Sequence, residues 1–210
     1  MENNWAAENL QTIRTIMERS ALYRRALAPI MILAGSVGTV AALAGHFLKI
    51  ESARAFAIFW MSVAVVVIVG VLLLVRRQAL KDAESFWSLP TRRVTSALMP
   101  PLFIGLFLGV MAIVLFEDEG SEVETMLSIC WVLLYGCALH SAGFSMPRGI
   151  KIFGWCFIMG GCAFIAILFS DVVAMMKSIP AHFIMGFFFG VAHLAYGVYL
   201  YFTEPRKTEA

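Results

Sequence analysis

The chain has 210 residues, 60% of them hydrophobic and 14% charged, with a formal net charge of +2. Soluble domains run nearer half apolar and a quarter charged, so this composition excludes an ordinary water-soluble fold. So small a net charge gives no electrostatic footprint for nucleic acid, and no such partner is expected.

Residues 4–25 read as an amphipathic helix. Leu10, Ile13 and Met17, with Ile16 beside them, form a helical stripe, and Glu8, Arg14, Glu18 and Arg19 take other faces. Trp5 and Tyr23 are placed to anchor it at headgroup level. Such a helix lies on the membrane or docks a cytoplasmic partner.

Six runs without a charged residue follow, at 26–48, 55–75, 94–116, 125–146, 152–170 and 178–203. About 20 apolar residues cross the hydrocarbon core, so each is long enough. The first contains Ala42-Leu43-Ala44, which resembles a signal-cleavage site. The run is nevertheless longer than a signal-peptide core and follows a long polar stretch, so it reads as a retained span. Between the second and third runs, Gln78 to Phe86 can continue as helix, with Trp87 as a further interfacial anchor and Pro90 at an elbow. Pro100 and Pro101 are expected to kink or unwind the start of the third span. Small residues recur at helix-packing spacing: Ala34, Gly38 and Ala42, then Gly105 and Gly109, then Gly186 and Gly190. The four cysteines, Cys130, Cys137, Cys156 and Cys162, lie inside spans and read as small, buried, reduced thiols.

Charge sets the expected orientation. Arg14, Arg19, Arg24 and Arg25 precede the first span; Arg76, Arg77, Lys81, Arg92 and Arg93 separate the second from the third. Arg148 and Lys151 join the fourth and fifth, and Arg206 and Lys207 follow the last. Only Lys49, Arg54 and Lys177 fall on the other side, which also receives the acidic segment Glu117 to Glu124. The positive-inside bias therefore puts both ends in the cytoplasm. The acidic segment is expected to be a solvated loop.

No span contains a carboxylate or a lysine, which argues against proton- or cation-coupled antiport. Four histidines remain. Counted from the expected outer ends, His140 and His193 lie roughly equally deep and are free to face each other; His46 and His182 form a second pair near the outer surface. Gly136 and Gly143 accompany His140, and Gly186, Gly190 and Gly197 accompany His193. The predicted ligand-binding set is His140, His193, Cys137, Ser141, Tyr196 and Gly190, with Tyr135 as an added partner. Two neutral imidazoles on facing helices also suit a haem iron, so His140 and His193 are the candidate metal ligands, with haem b as the alternative to no cofactor. No nucleotide-binding glycine motif, HExxH or Ser-His-Asp set is present.

These readings predict an all-α polytopic membrane protein, a bundle of six transmembrane helices with a cytoplasmic amphipathic N-terminal helix. Its parts are an interfacial helix (1–25), a transmembrane domain (26–203) and a cytoplasmic tail (204–210), in a bacterial-type inner membrane. The expected function is non-enzymatic: binding or passing a small, weakly polar solute between spans 4 and 6. A b-type haem redox protein and a membrane-embedded regulatory partner are the alternatives. Expected partners are the lipid bilayer, a small-molecule ligand, and a cytoplasmic protein or a second copy of the chain.

Overall fold

The computed structural model describes residues 21–81, 86–116, 121–168 and 179–203. Every secondary-structure element among them is helical. We number the helices α1 (Ala21–Phe47), α2 (Ala53–Lys81), α3 (Leu89–Leu115), α4 (Ser121–Ala142), α5 (Arg148–Leu168) and α6 (Ala181–Thr203). All six are long and apolar enough to cross a membrane, which places the chain among multi-pass membrane proteins. Six crossings return the chain to the side on which it started. We call that side the terminal face and the other the opposite face.

The expected amphipathic helix, with Trp5, lies outside the described residues except for residues 21–25, which form the first turn of α1. Trp87 is exposed just before α3 and stacks with Phe86. A kink or unwinding was expected at Pro100 and Pro101; the helix α3 continues through both without unwinding. The two missing amides would have served the carbonyls of Ser96 and Ala97. These lie about one turn inside Arg92 and Arg93, at a depth where headgroup water can replace the lost bonds.

Two boundaries differ from expectation in ways that matter. α4 stops at Ala142, four residues before the charge-free run ends. Bonds from Gly143 N to Leu139 O, Phe144 N to Ser141 O and Ser145 N to Ala142 O close its last turn. At its other end α4 begins at Ser121, so Glu124 joins the helix and is only 6% exposed instead of standing in a solvated loop.

α1 is flanked by α2 and α6, and α4 by α3 and α5, while α2 meets α3 and the first turns of α6 also reach α4. The α1–α6 contact is backbone-close. A Cβ on Gly38 would collide with the Phe189 main chain, one on Gly190 with Thr39, and one on Gly197 with Ile32. Without a hydrophobic driving force inside lipid, such close approach is what holds helices together. Phe56, Ala57, Trp60, Leu127 and Met185 pack one core between α2, α4 and α6. Leu27, Met31, Leu139, Ile150, Phe157 and Leu200 pack another between α1, α4, α5 and α6. α2 and α3 are mostly peripheral: 11% and 17% of their most apolar windows are buried, against 44% in α1, α4 and α6. The cysteines are free thiols, but Cys137, Cys156 and Cys162 are exposed on the bundle surface, not buried.

Candidate functional site

His193 sits near the middle of α6 and is 1% exposed. The helix is regular over Ala181–Met185 and His193–Thr203, but between them Gly186–Ala192 takes wide π-type turns. Those turns leave the Phe188 carbonyl facing the His193 side chain, and the two are joined at 2.9 Å through Nδ1. A carbonyl only accepts, so Nδ1 carries the proton. The other ring nitrogen, Nε2, then presents a lone pair, and the Tyr135 hydroxyl of α4 donates to it at 3.0 Å. Phe153 and Phe157 close edge-on around the imidazole, with centroids at 5.1 and 5.5 Å, and Phe189 lies parallel to it at 6.1 Å. The pair is neutral, fully hydrogen-bonded and enclosed by rings.

A second unit lies toward the opposite face. His182, buried in the first turn of α6, accepts from Trp60 Nε1–H at Nδ1 (3.1 Å) and donates from Nε2 to the Ile50 carbonyl (3.0 Å). It is the reverse tautomer of His193. Lys49 holds the left-handed conformation, with φ of 53°, immediately before Ile50 in the α1–α2 turn. A Cβ on Gly45 would collide with the His182 ring.

The π turns explain why the two histidines face different helices. Eleven residues of ideal α-helix return to nearly the same face, within about 20°. Wider turns delay the chain and rotate His193 away from the direction of His182. His182 therefore points at Trp60 of α2, and His193 at Tyr135 of α4.

The predicted set is spread over several interfaces. His193 is met by Tyr135, which precedes His140 by five residues and stands about 140° away around α4. His140 lies in the last turn of α4, because the helix ends at Ala142, so it is near the terminal face and not level with His193. Its ring packs nearly perpendicular to those of Phe144 and Trp155, with centroids at 5.6 and 5.5 Å. Its buried Nδ1 has no hydrogen-bond partner. Cys137 and Ser141 are exposed on the outside of α4. Tyr196 stacks on Phe153 at 4.6 Å, one ring removed from His193. Gly190 packs on Thr39 of α1. His46 lies on Phe183, with centroids 4.7 Å apart. Sequence reasoning missed the Trp60–His182 bond. The usable signal was that a buried tryptophan needs an acceptor for its N–H.

Among the described residues, no three His, Cys, Asp or Glu side chains converge as a metal site would require. A metal or haem iron on His193 would have to take Nε2 from Tyr135.

Among the described residues the fold is all-helical, its six apolar helices fit a multi-pass membrane protein, and its mid-span polar pairs are uncharged. No protein-family profile matches the chain, and no curated protein or solved structure resembles it significantly.

Proposed function

We propose that this is a non-enzymatic membrane protein that binds or passes a small, uncharged, weakly polar solute at the α4–α6 seam, beside His193. One observation carries the reading. His193 Nε2 is satisfied only by a side-chain hydroxyl from the facing helix. Main-chain bonds hold a fold, whereas a side-chain hydroxyl can swing aside and be replaced by a solute's own hydroxyl. The ring-lined, charge-free surroundings favour an uncharged aromatic or alicyclic molecule. The π turns add support, since such turns recur at functional sites in helices. We place the protein in a bacterial-type inner membrane with both termini in the cytoplasm; the Lys and Arg bias supports that orientation.

Phenol, which carries the chemistry of the Tyr135 side chain, is a suitable probe. It should raise the unfolding temperature of the detergent-purified protein, and raise that of Tyr135→Phe more, because there Nε2 is vacant. It should leave His193→Phe unmoved. Equal shifts in all three proteins would mean non-specific partition and would end the proposal. A haem Soret band in the wild type that His193→Phe abolishes would replace this reading with a redox one.

A further inference from the structure

We propose that the α4–α5 end on the terminal face is a binding site for the phosphate headgroup of an anionic membrane lipid, held by His140 and Lys151. The inference does not depend on the solute site at His193.

His140 makes no hydrogen bond through its ring, although Nδ1 is cut off from solvent. An unpaired polar nitrogen in an apolar setting is costly, and turning the ring to meet a ligand's oxygen would recover that cost. Lys151, in the first turn of α5, forms no ion pair with any described carboxylate. Its ammonium sits 3.4 Å above the centre of the Phe144 ring. The same ring meets His140 at a near-perpendicular angle, with centroids 5.6 Å apart. One aromatic ring thus spaces a cation and an unpaired imidazole at the membrane boundary.

The arrangement is held in place from both helices. A Cβ on Gly143 would meet the Lys151 stem, and one on Gly154 would meet the His140 backbone. Only glycine at these positions lets the lysine lie across the end of α4 and the two helices touch beneath it. The site opens sideways to lipid: Phe144 is 73% exposed and Trp155 50%. A tryptophan in this position marks headgroup depth. The chemistry required is an anion with hydrogen-bonding oxygens, delivered from the bilayer plane. A phosphate diester with its acyl chains along Trp155 and α5 meets all of it, in line with the basic inter-helix pockets that take anionic headgroups elsewhere.

The test is native mass spectrometry of the full chain in detergent, titrated with phosphatidylglycerol and, separately, phosphatidylcholine. The wild type should retain one phosphatidylglycerol saturably and phosphatidylcholine weakly. Lys151→Gln should weaken retention about fivefold, the contribution of one basic residue at an anionic surface. His140→Phe should weaken it about tenfold, as for a lost bond to a charged group. Lys151→Arg should bind normally and controls for folding. Arg92→Gln, a basic residue on the same face outside the site, should also bind normally. Equal retention of both lipids, or an equal loss in Arg92→Gln, would overturn the proposal. Competition by inorganic phosphate in place of lipid would overturn the lipid assignment. None of these outcomes bears on phenol binding at His193, so the two proposals fail separately.

Discussion

An imidazole at mid-membrane depth must satisfy one donor and one acceptor without water, and His193 does so with the Phe188 carbonyl and the Tyr135 hydroxyl. Tyr135→Phe leaves a buried lone pair unmatched while preserving the ring packing. It should destabilise the protein by about 1–3 kcal/mol in a reversible unfolding titration. In a double-mutant cycle with His193→Phe the two losses should be strongly sub-additive, because both changes remove the same bond. Additive losses would show that the hydroxyl and the imidazole act independently. That His193 needs a polar partner was legible from the sequence, because it stands near the middle of a charge-free run. Its partner Tyr135 was read only as one candidate among several, since spacing along two helices does not encode which faces meet. His140 was placed level with His193 because depth was counted from Thr125 and Ser178, whereas α4 begins at Ser121 and α6 at Ala181, which sets His140 closer to the terminal face than His193.

The π turns in α6 set the phase between two fixed points. His182 is tied to Trp60 and Ile50, and His193 to Tyr135. Inserting an alanine after the lipid-exposed Phe187 adds a residue to turns that are already wide, and should rotate one histidine by about 100° relative to the other. Both bonds cannot then be kept. The insertion should lower the unfolding temperature by more than Phe187→Ala, which keeps the register. Equal effects would show that the turns carry no phase information. Nothing in Gly186-Phe-Phe-Phe-Gly-Val-Ala192 distinguishes a π turn from an ordinary one by composition, so this feature was hidden from sequence reading. The glycines that let α1 and α6 touch were visible as small residues at packing spacing. Their partner helix was not, because a small-residue stripe serves any neighbour equally well.

At the scale of the whole molecule, the number and approximate limits of the spans were readable because a charge is too costly inside lipid to be placed casually. The exception is informative: Glu124 falls one residue outside the charge-free run, yet the early start of α4 buries it. An even number of crossings together with the Lys and Arg distribution gives a direct prediction. A fluorescent reporter at either end should mature in the cytoplasm, and a periplasm-dependent phosphatase should be active in the α1–α2 turn and inactive at both ends. A phosphatase signal from either terminus would reverse the orientation. The neutral hydroxyl–imidazole pair of Tyr135 and His193 is proposed to exchange its hydroxyl for that of a solute. The most direct test is the ¹⁵N spectrum of histidine-labelled protein in bilayers, with and without phenol. The prediction is that His193 is protonated at Nδ1 and bare at Nε2, and that phenol moves the Nε2 resonance while leaving Nδ1 in place. A charged His193, the opposite tautomer, or an Nε2 signal unmoved at saturating phenol would contradict it.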